Sequence, residues 1–214
     1  MSSDPASLEP VALGPREPVP ERPFTSVDLI PRDLGILEIL LADVRSLVVE
    51  AVEGRRQITP FETVSWEVDG LSHRHIVCRE DRLRTHPGLC AVGFLGERRT
   101  ELDSAPLEEA NTAVVAEFVR YPGITSYSSL ALPGGQWANL VLHDDPVDID
   151  YWRGSERHAQ AVASLAPVHY VHVRIHNAIL DGPLLEEPTI VPNRVKYFDF
   201  SGDAEWRAVR ELAT

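Results

Sequence analysis

Apolar and polar residues alternate along the chain with two different periods, which separate the predicted helices from the predicted strands. A helix is predicted to begin near Pro31 and to end at Gly54, because apolar residues recur between them at helical spacing. These residues are Leu37, Leu40, Leu41, Val44, Val48 and Ala51. Two alternating runs around Asp69-Gly70 then predict a β-hairpin, whose second strand places His73 and His75 on one face.

From residue 88 onward the pattern predicts a regular succession of elements. The segments GLCAVGFL, ITSYSSLAL, QWANLVLH and HYVHVRIHNAIL are typical of strands, and PLEEANTAVVAEFVRY and SERHAQAVASLA are typical of helices. Their order is β-α-β-β-α-β over roughly 95 residues, which predicts an α+β fold with a ferredoxin-like core. RVKYFDF is predicted to add a strand, and DAEWRAVREL a short helix that Asp203 can cap.

Three segments are expected on this basis. Residues 1–24 are rich in proline among Ser, Glu and Asp, which predicts a flexible arm or one that packs only on a partner. Residues 25–87 are predicted to form a helix and a β-hairpin that extend the core and pack on it. Residues 88–214 are predicted to form the ferredoxin-like core with its C-terminal strand and helix.

Composition restricts the class of protein. The chain has 214 residues, 43% of them apolar, which is enough for one substantial core. Its net charge of −13 argues against nucleic-acid binding, since no basic stretch can neutralise phosphates. The most apolar segment, residues 34–52, carries Glu38, Asp43, Arg45 and Glu50, which argues against a membrane span. The start of the chain lacks the pattern of a signal peptide, so we expect a cytoplasmic protein.

Two predicted strands carry large polar and aromatic side chains on one face. The sets that suit packing against helices are Ala138, Leu140 and Leu142 on one strand and Val171, Val173 and Ile175 on the other. The opposite sets are Trp137, Asn139, Val141 and His143, and Tyr170, His172, Arg174 and His176. A solvated face would be richer in Lys, Glu, Thr and Ser, so we expect this uncovered face to line a partly enclosed cavity.

The β-α-β-β-α-β order, the segment DYWRGSERHAQAVASLAPVHYVHVRIHNAIL and the polar sheet face resemble the dimeric α/β-barrel superfamily, antibiotic-biosynthesis-monooxygenase type, over about residues 88 to 182. The resemblance implies a homodimer whose two sheets form a shared barrel, with the ligand between sheet and helices. Members include cofactor-independent oxygenases of polycyclic phenols, heme-degrading and heme-binding proteins, and isomerases or cyclases. The heme-degrading members use an Asn on the first strand with a Trp and a His near the second helix. This chain has Trp152 and His158 but no Asn in GLCAVGFL.

The candidate catalytic residues are His158, His172 and Arg174. An enclosed imidazole, His158 or His172, would remove a proton at neutral pH. Arg174 and Asn139 would then stabilise the developing oxyanion. The predicted substrate-binding residues are Trp137, Asn139, Tyr127, Tyr170, Trp152 and His176.

Each of these roles has a structural alternative. His158 would alternatively be a partly buried histidine that bonds to the backbone, and the two tryptophans would be core or interface residues. Arg174 would alternatively form an ion pair with an acid such as Glu108 or Asp144.

The histidine spacing does not favour a metal site. His172 and His176 are roughly 13 Å apart along a strand, too far to bind one ion. His73 and His75 are closer, at roughly 6.6 Å, but no third ligand is evident near them in the sequence. We therefore expect no bound metal.

The leading hypothesis is a homodimeric enzyme of secondary or aromatic metabolism that acts on a small hydrophobic or aromatic substrate without a cofactor. It would be a monooxygenase, or a related cyclase or isomerase. The alternative is a heme-binding protein or heme enzyme, with His158, His172 or His176 as axial ligand and Arg174 near a propionate. A third possibility is a non-catalytic ligand-binding or assembly module.

Overall fold

The computed structural model describes residues 9–212, which form one nine-stranded sheet with helices on both of its faces. The strands are β1 (Val11–Leu13), β2 (Thr63–Val68), β3 (Leu71–Val77), β4 (Cys90–Arg98), β5 (Ile124–Ala131), β6 (Gln136–His143), β7 (Tyr170–Leu180), β8 (Ile190–Asp199) and β9 (Trp206–Glu211). The helices are α1 (Ile30–Val52), α2 (Glu80–Thr85), α3 (Ala105–Ala116), α4 (Pro146–Arg153), α5 (Glu156–Gln160) and α6 (Ala166–His169). A π-helical turn, Ala161–Leu165, joins the last two.

The strands lie in the order β1-β9-β8-β7-β4-β6-β5-β3-β2, all antiparallel except β1, which runs parallel to β9. The predicted α+β class is confirmed. The sheet is larger than the four strands expected, because the β2-β3 hairpin joins it at β5 and strands β8, β9 and β1 extend it beyond β7. Asp69 and Gly70 form the predicted hairpin turn, with the positive φ that a two-residue turn requires.

Helix α1 covers one face of the sheet with its apolar stripe. Leu37, Leu40, Val44 and Val48 are fully buried. They belong to a cluster that includes residues of β4, β5, β6 and β7. The helix crosses the strands obliquely, since Asp33 contacts β7, Leu37 lies over Gly93 of β4, and Asp43 contacts β3.

The expectation of an uncovered sheet face is wrong for the described part of the chain. Ala138, Leu140 and Leu142, which the sequence assigns to the helices of the core, pack against α1. The opposite face of β6 is covered as well, because Val141 packs against a cluster that contains Phe118, which follows α3, and Trp152 of α4. The expectation failed because it left out α1 as an apolar partner for the sheet.

Residues 9–24 do not form the flexible arm that their proline content predicts. Strand β1 pairs with β9, and the fully buried guanidinium of Arg210 donates hydrogen bonds to the carbonyls of Gly14, Glu17 and Thr25. Arg210 thereby satisfies backbone acceptors of a segment whose prolines reduce ladder formation. Residues 1–8 of the predicted arm lie outside the described residues.

The predicted C-terminal helix is a strand. Residues Trp206–Glu211 form β9, in which Ala208 and Arg210 are the buried positions of an alternating pattern. Pairing with β8 on one side and β1 on the other overrides the local helix preference.

None of the described helices, α1 included, combines the length and the apolar composition that a bilayer crossing requires.

We expect Gly93→Ala to destabilise the protein by about 1–3 kcal/mol, because a Cβ atom at this position would overlap Leu37, whose Cδ2 would lie 2.9 Å away. Urea unfolding measures the change. Gly35→Ala is the matched control: Gly35 is an exposed residue of α1 with no neighbour within 4 Å of the added atom, and its substitution should stabilise the helix by about 1 kcal/mol. An unchanged unfolding midpoint for Gly93→Ala would show that close contact between α1 and β4 is not required.

Candidate functional site

Two carboxylates lie in phase with the buried stripe of α1. Asp33 precedes Leu37 by four residues, and Asp43 precedes Leu47 by four. Each aspartate side chain therefore points to the same side of the helix as a buried leucine. The segment between the two acids spans roughly 15 Å of helix. A buried carboxylate requires partners, and each acid finds them on a different strand.

Asp33 is fully buried and binds two residues of β7. Arg174 Nε and Nη2 donate to its Oδ2 and Oδ1 atoms at 2.6 and 2.7 Å, and His176 Nε2 lies 2.8 Å from Oδ2. Burial raises the pKa of Asp33, but the hydrogen bonds from His176 and Arg174 outweigh this effect and hold the pKa below its ordinary value of 3.8. The alternative prediction for Arg174, an ion pair with an acid, is therefore right in kind. The acid is Asp33 of α1, however, and not Glu108 or Asp144.

A cleft opens beside this ion pair, between the first turns of α1 and the strands β4, β6 and β7. The cleft is shallow: its interior offers about 20 Å³ to solvent, and the figure reaches about 290 Å³ only when the open space at its mouth is counted. The lining residues are Arg32, Asp33, Ile36, Leu95, Gly96, Glu97, Gln136, Trp137, His172 and Arg174. The side chains of two predicted site residues, His172 and Arg174, thus meet here with four charged or polar residues that sequence reasoning did not select. Trp137 borders the cleft from β6, but its indole lies on the other face of the sheet.

His172 has the properties of a general base in this cleft. Its ring stacks on Phe24 with centroids 4.5 Å apart, and its Nε2 atom lies 3.5 Å from Glu97 Oε2. Burial lowers the pKa of His172, and the neighbouring carboxylate of Glu97 opposes this only in part. The imidazole is therefore neutral, and able to accept a proton, at pH 7.

Arg32 is the uncompensated cation of the cleft. Its Nη2 atom donates to Gln136 Oε1 at 3.2 Å, and no carboxylate within residues 9–212 forms an ion pair with it. Arg174 differs, because Asp33 balances its charge. An anion that enters the cleft would meet Arg32 as the available positive charge.

Asn139 lies on the opposite face of the sheet and is already engaged there. Its Oδ1 atom accepts hydrogen bonds from Trp137 Nε1 at 2.7 Å and from the Tyr127 hydroxyl at 3.0 Å. Burial raises the pKa of Tyr127 to about 12, so this hydroxyl stays protonated. These three predicted substrate-binding residues form a hydrogen-bonded group under α3.

His158 also lies on this second face. Its ring packs against Trp152, with centroids 5.2 Å apart, and its backbone nitrogen donates to the capping Ser155 hydroxyl. Burial lowers the pKa of His158, and the charge of Arg153 adds to the effect. Tyr170 packs edge-on against Phe94 on the same side.

The sheet therefore separates the predicted site residues into two groups. Leu95 pairs with both Arg174 and Ala138, so Arg174 shares a face with Ala138 rather than with Asn139. His172, Arg174 and His176 face α1, whereas Tyr127, Asn139, Tyr170, Trp152 and His158 lie on the side of α3 to α6. The predicted cooperation of Arg174 with Asn139 at one oxyanion is wrong for this reason.

His73 and His75 meet a carboxylate that the sequence did not reveal as their neighbour. Nδ1 of His73 lies 2.6 Å from Asp43 Oδ2, and Nε2 of His75 lies 3.3 Å from the same oxygen. The three ligand atoms lie within 4.8 Å of one another, as a metal ion requires. The expectation that these histidines have no third ligand is wrong, because α1 brings Asp43 across the sheet to β3. The sequence did contain one indication of this contact, since Asp43 lies on the same side of α1 as its buried apolar residues.

Comparison with known proteins identifies neither a family nor a function. No protein-family model and no curated protein matches the chain. Among solved structures, protein SO0527 from Shewanella oneidensis is similar at 11% identity and a TM-score of 0.37, over 44% of this chain and 94% of that one. An aldoxime dehydratase is similar at 12% identity and a TM-score of 0.31, over 73% of this chain and 42% of that one.

Asp33→Asn should destabilise the protein by about 3 kcal/mol, because it leaves the guanidinium of Arg174, which is only 14% exposed, without its counter-charge. Glu211→Gln is the matched control. It breaks an ion pair with Arg194 of the same 2.6 Å length, but both partners are about half exposed and the expected loss is below about 1 kcal/mol. Urea unfolding compares the two variants, and equal losses would contradict a dominant role for burial.

Stability should also decrease in acid through Asp33. Because its folded pKa lies below 3.8, the unfolded chain binds a proton first as the pH falls, and the stability that Asp33 contributes at neutral pH is lost as the pH falls through and below that value. Thermal melting of the wild type and of Asp33→Asn across this range measures the difference. The stability gap between them should be constant near pH 7 and should narrow in acid; a gap that does not change with pH would refute this contribution.

Proposed function

We propose that the protein is an enzyme that removes a proton from a small aromatic or hydrophobic substrate, with His172 as the general base. The observation that carries the proposal is the position of His172, whose imidazole lines the cleft at the start of α1 and is kept neutral by burial. Glu97, 3.5 Å from the imidazole, would stabilise the protonated form produced by the reaction.

Arg32 takes the role of oxyanion stabiliser in this proposal. A proton removed next to a carbonyl or a phenol leaves negative charge on oxygen, and a nearby cation lowers the free energy of that state. Asp33 already balances Arg174, so Arg174 acts as a positioning residue that holds α1 against β7 and thereby places Arg32.

The proposed chemistry requires no bound cofactor. With molecular oxygen as co-substrate, oxidation of a CH₂ group to a carbonyl takes up one O₂ and releases one water, as in oxygenation to a quinone. Without oxygen, the same proton removal would serve isomerisation or cyclisation. Both outcomes share the removal of the proton as their first step, and hydrogen–deuterium exchange measures that step alone.

The ferredoxin-like core is also part of the proposal. Its support is the strand order β7-β4-β6-β5, with α3 and the α4–α6 segment covering one face. The predicted homodimer would use a surface other than the second face of this unit, because α1 of the same chain covers it.

Deuterium exchange tests the proposal with anthrone as the probe, in D2O under argon, followed by NMR. The wild type should accelerate exchange of the acidic ring CH₂ protons above the buffer rate. His172→Ala should lower the protein-catalysed rate by about 10²- to 10⁴-fold, because the base is lost. Arg32→Ala should lower it as well, since the enolate loses its counter-charge.

His158→Ala is the matched control, because His158 is also a histidine whose pKa is lowered by burial but lies on the other face. Its exchange rate should equal that of the wild type. Exchange that depends on His158 and not on His172 would move the reaction to the α3–α6 side of the sheet. Wild-type protein that leaves the buffer rate unchanged would contradict the proposal for this substrate class.

A further inference from the structure

The second carboxylate of α1 has surroundings unlike those of the first. Asp33 meets the fixed positive charge of Arg174, whereas Asp43 meets only the imidazoles of His73 and His75. No Lys or Arg of the described chain lies within ion-pair distance of Asp43. The Asp43 cluster therefore presents a negative oxygen and two imidazole nitrogens without a compensating fixed cation.

His75 supplies the observation that points to a ligand. Its side chain is fully buried, and its Nδ1 atom is held at 2.9 Å from the Ser128 hydroxyl on β5. Its Nε2 atom lies 3.3 Å from Asp43 Oδ2, but at an angle that leaves it without a hydrogen-bond partner among the described residues. Buried polar atoms without partners are rare and require an explanation, and a bound cation would supply the missing partner.

The contact with Ser128 matches what a metal-binding histidine needs. Such a histidine uses one ring nitrogen for the metal and engages the other with a hydrogen-bonding partner, which fixes the orientation of the ring. Ser128 occupies this second position for His75, and Trp66 stacks on the same ring with centroids 4.4 Å apart. The His75 ring is therefore held with Nε2 beside Asp43 Oδ2 but not pointed at that oxygen.

The distances suit a small divalent ion. Zinc bonds to nitrogen and oxygen are about 2.0–2.1 Å long, so two ligands of a tetrahedral site lie about 3.3 Å apart. The separation of His75 Nε2 from Asp43 Oδ2 is 3.3 Å. His73 Nδ1 and Asp43 Oδ2, at 2.6 Å, form a direct hydrogen bond, which a metal ion would replace after the His73 ring moves outward by about 0.7 Å.

We infer that Asp43, His73 and His75 form a binding site for a divalent transition-metal ion, with Zn²⁺ as the best match to two imidazoles and one carboxylate. The Asp43 side chain is 21% exposed, which gives the ion a route from solvent. Three protein ligands leave a fourth position for water. The site lies on β3 and the C-terminal half of α1, apart from the cleft at the start of the helix, and does not depend on the function proposed for that cleft.

Cobalt binding to the full chain after EDTA treatment tests the inference, because tetrahedral or five-coordinate Co²⁺ absorbs in the visible range. The wild type should bind one Co²⁺ per chain with such bands, and Zn²⁺ should displace it. His75→Ala and Asp43→Asn should each abolish the bands. Ser128→Ala keeps all three ligands and should lower the affinity by about 10- to 100-fold, because the His75 ring loses its orienting contact.

His86→Ala is the control, since it removes a histidine near α2 that is outside the cluster, and it should bind Co²⁺ like the wild type. Circular dichroism establishes which variants fold. If His75→Ala does not fold, Asp43→Asn and Ser128→Ala decide the outcome. Wild-type protein without stoichiometric binding at micromolar Co²⁺, or binding that survives Asp43→Asn unchanged, would overturn the inference.

Discussion

The ion pair of Asp33 with Arg174 and His176 determines where α1 lies on the sheet. A carboxylate without solvent exposure is strongly unfavourable unless donors surround it, and only β7 provides them in the described chain. The pair need not add net stability over an apolar contact of similar volume. It does make other placements of the helix costly, because any shift would separate the buried carboxylate of Asp33 from the guanidinium that balances its charge. The close approach at Gly93 depends on this placement, since Leu37 follows Asp33 by one helical turn.

The same helix connects the two sites. Arg32 and Asp33 lie at its start beside the cleft that contains His172, and Asp43 lies in its second half beside His73 and His75. The apolar residues between them hold the helix to strands β4, β5 and β6, so the two groups of polar residues are fixed relative to each other. Rigid elements of this kind position functional side chains better than loops do.

Local patterns predicted the elements well and the tertiary partners poorly. The alternation in QWANLVLH and HYVHVRIHNAIL identified β6 and β7, and helical spacing identified α1. The prediction assigned the two faces of β6 to the wrong helices. Both sides of the sheet are covered, and an apolar face does not indicate which helix covers it. Strand β9 looked helical because its pairing with β1 and β8 involves residues distant in sequence. His172 and Arg174 were found from their strand, whereas Asp33, Asp43 and Arg32 required knowledge of how α1 docks.

The contacts of Arg210 have a consequence for how the chain reaches its native state. They join residues separated by up to 196 positions, and β1 completes the sheet only by pairing with β9. Such a topology has high contact order, which slows folding because loop closure precedes the favourable contacts. During synthesis, α1 emerges long before β7 and β9. Its apolar residues therefore stay exposed until the strands that cover them have been made. Partly made chains are therefore the species most exposed to aggregation, since β1 finds its partner strand only after β9 has been made.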